Sequence, residues 1–345
     1  IVGFYKGQIF ESSELVQKDL KAMTDAIQYR GPDSEGFWYE MDDKIALGHR
    51  RLAIQDLSEA GRQPMHSDCG RYVMVFNGEI YNHLEVRQEL ENASDDINWH
   101  GHSDTETMLK SIQLFGFEST LKKLIGMFAI ALWDKQDKAL YLAKDRFGEK
   151  PLYYGWQNDT LLFGSELKAL ITHCSFEKVI EKRALPSLLR HGYIASPYSI
   201  WQNIFKLTPA HYLKFTADDL NPHEICYWSL TSIVEQSQQN RLAITDEQAI
   251  NELEALLTES IKNQLISDVP LGALLSGGID SSLVVALIQK VSQQPVKTFS
   301  IGFDDTAFDE SKHAEAVARH LGTDHTTLIM TPADLLELVP EIAKV

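Results

Sequence analysis

The stretch that most constrains this sequence is an apolar run that ends in Ser-Gly-Gly and is followed directly by a second apolar run. After Leu274 and Leu275 comes Ser276-Gly277-Gly278-Ile279-Asp280-Ser281-Ser282, and the second run starts at Leu283. This order predicts a strand, a tight loop and a helix. Adjacent glycines allow close approach to the backbone, and loop amides beside a helix N-terminus can hold a phosphate. Asp280 adds a carboxylate suited to a phosphate-bound Mg²⁺.

A simpler interpretation of the same residues is a Gly-Gly turn in which Asp280 or Ser281 caps the next helix. The stretch is not a Walker A loop, because it lacks the Gly-Lys-Ser/Thr ending. Six loop residues in this order between a predicted strand and a predicted helix favour the phosphate site.

Strands and helices alternate around this loop. Thr245-Asp246-Glu247-Gln248 has the pattern of a capping box and opens a predicted amphipathic helix. Later predicted elements are strands over 296–303 and 326–330 and a helix over 309–321. Such alternation predicts a parallel sheet that binds its ligand at the carboxyl ends of the strands. We therefore expect an α/β domain over 245–345, and its three strands make a core so thin that we expect a truncated domain.

The first 216 residues follow a different pattern. Apolar residues at helical spacing between Leu15 and Ile27 predict one helix, which ends at Gly31-Pro32. A buried strand is predicted over 72–76, with its end at Asn77-Gly78. Short strands that follow one another closely are predicted over 127–133, 139–143, 152–155 and 161–163. They indicate antiparallel sheets in a layered α+β domain over 1–216, and the polar segment 217–244 is predicted to connect the two domains.

Composition excludes several classes of function. The formal charge is −17 and no dense Lys/Arg cluster occurs, which argues against nucleic-acid binding. No apolar run is long enough to span a bilayer. The three cysteines, Cys69, Cys174 and Cys226, form neither a disulfide framework nor a metal-ligand spacing, which favours a reducing cytoplasm.

The loop residues Ser276 to Ser281 resemble the SGGxDS loop of the PP-loop ATP pyrophosphatases, which cleave ATP between the α and β phosphates. Taken with motifs elsewhere, the chain resembles the glutamine-dependent asparagine synthetases. Those motifs occur in the family's order: Arg30-Gly31-Pro32-Asp33, Arg51-Leu52, Asn77-Gly78-Glu79-Ile80-Tyr81-Asn82, Ser103-Asp104-Thr105-Glu106, Gly126-Met127-Phe128, Asp145-Arg146-Phe147-Gly148, Phe299-Ser300-Ile301-Gly302-Phe303 and Leu321-Gly322-Thr323-Asp324-His325. The resemblance implies an N-terminal-nucleophile (Ntn) hydrolase-like αββα sandwich followed by a PP-loop domain.

The family implies roles for five residues of the first domain. Arg51 would bind the carboxylate of glutamine, and Glu79 and Asp104 its α-ammonium. Asn77 and the N–H of Gly78 would form an oxyanion hole. The competing interpretations are surface ion pairs for the charged residues, a helix cap for Asp104 and a hairpin turn for Asn77-Gly78.

The family's nucleophile is a cysteine at the mature N-terminus whose own α-amine is the base. It is normally followed by Gly and then by a strand like Ile1-Val2-Gly3-Phe4. We therefore expect Cys-Gly immediately upstream of Ile1, because none of the three cysteines in the chain offers a free amine.

In the second domain the resemblance implies an ATP site with Mg²⁺ on Asp280. Its residues would be Leu274, Leu275, Ser276, Gly277, Gly278, Asp280, Ser281, Ser282, Ile301 and Gly302. A substrate carboxylate, aspartate by resemblance, would attack the α-phosphate and release pyrophosphate, and ammonia from glutamine would then displace AMP. A buried channel would have to join the two sites. The competing interpretation of Ile301 is sheet core.

Three alternatives stay open at this point. A related enzyme could amidate another carboxylate, such as a sugar acid, or close a β-lactam ring; the retained Arg51, Asn77, Glu79 and Asp104 disfavour ring closure. A non-catalytic binding protein could be built on the same folds. A tRNA-modifying PP-loop enzyme is disfavoured by the acidic balance. A homodimer is the family's expectation.

Overall fold

The computed structural model describes residues 1–304 and 309–342, and the chain divides into two compact units, Ile1–Asn240 and Arg241–Val345. The first unit contains two six-stranded sheets whose strand pairs are antiparallel. In chain order its strands are β1 (Val2–Tyr5), β2 (Ser34–Glu40), β3 (Ile45–Arg51), β4 (Met65–His66), β5 (Tyr72–Ile80), β6 (Gly126–Asp134), β7 (Ala139–Lys144), β8 (Tyr153–Gln157), β9 (Thr160–Gly164), β10 (Phe205–Lys206), β11 (His211–Phe215) and β12 (Ile225–Cys226).

One sheet has the order β10-β8-β9-β1-β3-β2 and the other β12-β11-β7-β6-β5-β4. The helices of this unit are α1 (Ser13–Asp25), α2 (His83–Ala93), α3 (Asp104–Phe115), α4 (Phe117–Lys123), α5 (Leu167–Leu170), α6 (Leu185–His191) and α7 (Leu230–Gln239). The predicted connection over 217–244 therefore includes β12, which pairs with β11, and α7.

Three hydrophobic cores hold these layers together. Tyr5 and Leu47 of one sheet pack with Val75 and Trp133 of the other. A second core joins the outer face of the β5–β6 sheet to α2, α3 and α4, and a third joins β1 and β3 to α1 and α5. The order of layers is α, β, β, α, which confirms the predicted sandwich.

Strand β5 has helices on one face and a sheet on the other, so Tyr72 to Phe76 are all buried and show no polar alternation. Two strands end in polar residues. Strand β5 continues past its predicted end at Asn77-Gly78 to Ile80, and β3 continues through His49 to Arg51. In both cases pairing with a neighbouring strand extends the element into polar sequence.

The second unit begins with α8 (Asp246–Gln264), whose N-terminus carries the predicted capping box between Thr245 and Gln248. Its three strands are parallel and lie in the order β13 (Ala273–Leu274), β14 (Lys297–Phe303) and β15 (Asp324–Met330). The remaining helices are α9 (Ile279–Val291), α10 (Ser311–Leu321) and α11 (Pro332–Ile342). The parallel α/β architecture predicted around the Ser-Gly-Gly loop is thus confirmed. Over the described residues, no helix combines the length and apolar character that crossing a membrane requires.

Candidate active site

A cavity of about 330 Å³ opens where β3, β5 and the start of α3 meet. Its wall contains all five residues to which the family resemblance assigns glutamine chemistry: Arg51, Asn77, Gly78, Glu79 and Asp104. They come from three separate stretches of sequence, and the packing of one sheet on the other, with α3 beside β5, brings them together.

The backbone at Asn77-Gly78 is strand and not turn. Asn77 lies opposite Ala129 and Gly78 opposite Phe128 in the ladder with β6, so the hairpin interpretation of this dipeptide is wrong. A side chain at position 78 would place its Cβ 2.0 Å from the Met127 carbonyl oxygen. Glycine is therefore required by the close approach of the neighbouring strand.

Two hydrogen-bond donors in this wall, the side-chain amide of Asn77 and the backbone N–H of Gly78, have no acceptor among the residues that the structure describes. The Asn77 nitrogen, Nδ2, is buried and unpaired.

The direction of the Gly78 N–H follows from its neighbours on β5. The N–H of Phe76 donates to Gln63 Oε1 at 2.6 Å and that of Ile80 to Asp104 Oδ2 at 2.9 Å. Both groups point away from β6.

The Gly78 N–H must point the same way, because backbone direction alternates with a period of two. Its ladder partner Phe128 directs both backbone groups to Asp145, with N–H to Oδ2 at 3.1 Å and oxygen to N–H at 2.9 Å. Gly78 therefore presents a bare N–H between the two occupied positions at Phe76 and Ile80.

Arg51 is buried and holds the positive side of the cavity. Its guanidinium donates to the carbonyl oxygens of Ser58 at 3.1 Å, Gln55 at 3.3 Å and Asp56. Its neighbour Arg50 forms ion pairs with Asp25 and Glu35, whereas the described residues 1–304 and 309–342 show no such pair for Arg51. A Cβ at Gly61 would come within 2.0 Å of Arg51 Nη2, so glycine makes room for the group. A buried cation without a counter-ion is costly, which favours an anionic ligand.

Two carboxylates, Asp104 and Glu79, form the negative side of the cavity. Burial raises the pKa of Asp104 to about 6, although the Ile80 N–H and the Thr105 hydroxyl oppose the shift. Burial also raises the pKa of Glu79, with Lys150 acting against the shift and Asp104 adding to it. Both shifts come mainly from the cost of keeping a carboxylate charged away from water, which a bound cation would relieve.

The interpretation of Asp104 as the helix cap is wrong. Ser103 caps α3, since its hydroxyl accepts the N–H of Glu106 at 3.2 Å. Asp104 turns instead toward β5 and the cavity.

Sequence reasoning missed three residues of this wall: His49, Gln63 and Lys150. His49 is buried and donates from Nε2 to the Phe76 carbonyl at 3.0 Å, so its Nδ1 carries no proton. Burial lowers its pKa to about 3, and the ring is therefore neutral. No pattern near His49 in the sequence marked it, because its place in the wall depends on the continuation of β3 to Arg51 and on the contact with Phe76 of β5.

The Ser-Gly-Gly loop of the second unit, Ser276 to Ser282, turns tightly against the start of α10, and we call it the cradle. Gly277 has φ +79°, and a Cβ there would lie 2.8 Å from the backbone N of Ala314. Ser276 Oγ contacts Ser281 Oγ at 3.0 Å and accepts the Gly278 N–H at 3.3 Å. Helix α9 starts without a side-chain cap, so the interpretation of Asp280 or Ser281 as its cap is wrong.

A second cavity, of about 340 Å³, lies beside this loop. Five predicted ATP-binding residues line it: Leu274, Leu275, Ser276, Ser281 and Ile301. The other five, Gly277, Gly278, Asp280, Ser282 and Gly302, are not in its wall. Ile301 is 53% exposed, so the interpretation of this residue as sheet core is wrong.

Two further polar groups, the Ser282 hydroxyl and the Asp280 carboxylate, lie at the C-terminal end of the cradle. Ser282 Oγ is buried and has no hydrogen-bond partner in the described part of the chain. Asp280 lies exposed in the first turn of α9. Glu310 is a second exposed carboxylate, and it lies in the wall of the 340 Å³ cavity. Mg²⁺ typically binds one or two carboxylates, keeps several waters and bridges to substrate phosphates.

Another cluster, Asp19, His173 and Cys174, has ligand atoms within 4.8 Å of one another. His173 Nδ1 accepts the N–H of Ser175 at 3.1 Å, so Nε2 carries the ring proton and faces Asp19 Oδ2 at 3.7 Å. An ion at Nε2 would have to displace that proton while Nδ1 stays occupied. We assign no metal to this cluster.

Comparison with known proteins finds one family model for each of the two units. Residues 1–228 match the family model of the glutamine amidotransferase domain, and residues 252–345 match that of asparagine synthase. The chain belongs to the glutamine-hydrolysing asparagine synthetase family.

Two members of this family are asparagine synthetases [glutamine-hydrolyzing] 1 and 2 of Bacillus subtilis. They are 34% and 35% identical to this chain over 94% and 96% of its length. The matched regions cover 49% and 44% of those proteins, so the chain spans about half the length of these two relatives. It spans 66% of a third, putative asparagine synthetase [glutamine-hydrolyzing] 2 of Methanocaldococcus jannaschii, at 35% identity over 96% of this chain.

A solved structure of glutamine phosphoribosylpyrophosphate amidotransferase from B. subtilis has a TM-score of 0.50 and 14% identity. The match covers 97% of this chain and 91% of that one. At this identity the likeness concerns the fold alone, and it agrees with the predicted Ntn-type sandwich.

Proposed function

We propose that the first unit hydrolyses glutamine and that the ammonia is used by the second unit to form an amide. The observation that carries the first half is the charge pattern of the 330 Å³ cavity. Arg51 would bind the glutamine carboxylate, and Glu79 and Asp104 the ammonium. Asn77 Nδ2 and the Gly78 N–H would hold the amide oxygen as negative charge develops on it. This assignment gives Arg51, the two carboxylates and the two unpaired donors partners on one small zwitterion.

The nucleophile in this proposal is a cysteine two residues before Ile1, with its own α-amine as base. None of Cys69, Cys174 and Cys226 lines the cavity. Val2 pairs with Gly48, and the antiparallel register therefore leads residues ahead of Ile1 toward the part of β3 that contains His49 and Arg51. That direction supports a nucleophile delivered to the cavity from the start of β1.

Three ligands test the glutamine site by calorimetry. L-glutamine carries both charges, 4-carbamoylbutanoate lacks the ammonium and 4-aminobutanamide lacks the carboxylate. We expect glutamine to bind at least 10-fold more tightly than either, since a hydrogen bond to a charged group contributes about 1.5–3 kcal/mol. Arg51→Met should remove the preference for the carboxylate while keeping that for the ammonium. Equal binding of all three ligands would refute the assignment.

For the second unit we propose ATP as substrate with Mg²⁺ bound by Asp280. The loop amides, with Ser276, Ser281 and Ser282, would hold the phosphates. The acceptor carboxylate would attack the α-phosphorus, breaking its bond to the bridging oxygen and releasing pyrophosphate. Ammonia would then attack the acyl carbon and expel AMP. The cradle geometry of Gly277 and the unpaired Ser282 Oγ support this assignment.

The acceptor that we propose is aspartate, and the test is mass spectrometry of the protein incubated with glutamine, ATP, Mg²⁺ and aspartate. Asparagine formed together with AMP would establish both halves. Glutamate without asparagine would refute aspartate and direct the search to other carboxylates, such as sugar acids. Absence of both products would favour a non-catalytic binding protein. A homodimer and a cytoplasmic location, proposed from the resemblance, are testable by sedimentation and cell fractionation.

A further inference from the structure

A row of hydrogen-bonded side chains in the second unit begins at Thr323 and ends at a carboxylate of α10. We call it the polar row, and in order it comprises Thr323, Thr298, His325, Ser300, Thr327 and Glu315. Four of its members lie on β14 and β15, and one of these, Ser300, also lines the 340 Å³ cavity.

The carboxylate fixes the direction of neighbouring hydrogen bonds. Glu315 can only accept when ionised, so Thr327 donates its hydroxyl proton to Glu315 Oε1 at 3.2 Å. Thr327 Oγ1 then offers only lone pairs to Ser300 Oγ at 3.4 Å. Ser300 must therefore be the donor in that bond, which is the longest of the row.

The same logic fixes the histidine tautomer. The Ser300 proton is engaged by Thr327, so His325 Nε2 must be the donor to Ser300 Oγ at 3.1 Å. His325 Nδ1 then accepts from Thr298 Oγ1 at 2.8 Å, and Thr298 accepts from Thr323 Oγ1 at 2.8 Å. Each hydroxyl of the row has one proton and one acceptor, without conflict.

In the cavity, the Ser300 hydroxyl can therefore accept a hydrogen bond from a ligand but cannot donate one. Because its proton is engaged by Thr327, its Oγ has only a lone pair left for a ligand. A triphosphate offers acceptors and no donor at neutral pH, whereas a nucleoside offers an exocyclic amino group and ribose hydroxyls. Ser276 and Ser281 lie in the cradle of the same cavity.

We propose that Ser300 Oγ accepts a hydrogen bond from an N–H or O–H donor of the nucleoside, and that His325 and Thr327 are positioning residues that keep it an acceptor. The inference rests on the proposed function, since it takes ATP as the ligand. It makes the Ser300 side of the cavity the nucleoside end and the Ser276 side the phosphate end.

The test is calorimetric titration of the intact protein with Mg²⁺ complexes of four nucleotides. ATP has every donor, ITP has an oxygen in place of the 6-amino group, and 2′-deoxy-ATP and 3′-deoxy-ATP each lack one hydroxyl. We expect one of the three analogues to bind roughly 3- to 10-fold more weakly than ATP, the range for a single neutral hydrogen bond. Which analogue is weakened identifies the donor as base or ribose.

Variants separate the row from general packing. Ser300→Ala should weaken ATP by the same factor and abolish the discrimination. Thr327→Val keeps Ser300 but frees its hydroxyl proton. The ratio of the affinity for ATP to that for the weakened analogue should therefore fall toward one, while the affinity for ATP itself changes less. Thr326→Val is the matched control, because Thr326 is an exposed neighbour on the same strand, and it should change neither quantity.

Nitrogen-detected NMR of the His325 ring gives a second readout. We expect a protonated Nε2 and a bare Nδ1, and the opposite tautomer would overturn the proposal. Equal binding of all four nucleotides, or unchanged discrimination in Thr327→Val, would also overturn it while leaving ATP as ligand. If ATP itself does not bind, the proposed function of the second unit fails and this inference fails with it.

Discussion

Replacing Asp104 with asparagine should make the protein more stable and its glutamine binding weaker. The carboxyl is buried, and its pKa is raised to about 6 from an ordinary value of 3.8. This difference corresponds to about 3 kcal/mol, since one pKa unit is about 1.4 kcal/mol. The folded protein therefore bears that cost whenever Asp104 is ionised.

The sign of the effect fixes its pH window. Because the pKa of Asp104 is raised in the folded state, protonation of this carboxyl favours folding. Its favourable contribution to the free energy of unfolding is complete below pH 3.8. It is lost as pH rises through about 6. We expect the free energy of unfolding of Asp104→Asn to match that of the wild type near pH 3.8 and to exceed it by about 3 kcal/mol above pH 7, with about half of that gain present at pH 5.

Asparagine can replace both hydrogen bonds of the carboxylate. Its oxygen can accept the Ile80 N–H, now 2.9 Å from Oδ2, and its amide can donate to Thr105 Oγ1, now 3.2 Å from Oδ1. The substitution therefore removes the charge with little change in shape. It also removes a partner for the glutamine ammonium, which should weaken binding roughly 10- to 100-fold.

Urea unfolding followed by tryptophan fluorescence measures the stability term. All six tryptophans lie between Trp38 and Trp228, so the signal reports the first unit alone. Glutamine at 100 times its Kd for the wild type should raise the free energy of unfolding of the wild type by about 2.7 kcal/mol and that of Asp104→Asn by much less. Asp95→Asn, at an exposed carboxylate, is the control and should change neither value. Equal unfolding of wild type and Asp104→Asn at pH 7.5 would refute the reasoning.

Two glycine substitutions and one amide substitution extend these tests. Gly78→Ala should lower the free energy of urea unfolding by at least about 3 kcal/mol, because the new Cβ would lie 2.0 Å from a backbone oxygen. The control Gly70→Ala, which has open space around it and φ +72°, should lower it by about 1 kcal/mol. Gly277→Ala should accelerate hydrogen exchange at the start of α9, whereas Gly278→Ala, whose nearest contact is 3.4 Å, should not. With the cysteine nucleophile present, Asn77→Ala should lower kcat for glutamine roughly 100- to 1,000-fold and leave KM nearly unchanged; a change confined to KM would contradict the oxyanion role.

Local sequence determined the features that depend on a few neighbouring residues. The capping box at Thr245, the tight loop at Gly277 and the alternation of strands and helices after it follow from backbone preferences and helix capping. These terms act within one or two turns of chain, so a sequence pattern suffices to predict them. The residues assigned to glutamine binding were also identifiable, although only the family resemblance, and no local pattern, indicated that Arg51 and Asp104 would meet.

Tertiary structure decided the rest. Asn77-Gly78 has a turn-like sequence, but pairing with β6 holds it in a strand, and the register of that pairing leaves the Gly78 N–H bare. Nothing near His49 in sequence distinguishes it from the other histidines until β5 brings the Phe76 carbonyl to its ring. The raised pKa of Asp104 has the same origin. Burial and strand register depend on segments that are distant in sequence, and the free energy of a charge or an unpaired donor depends on burial.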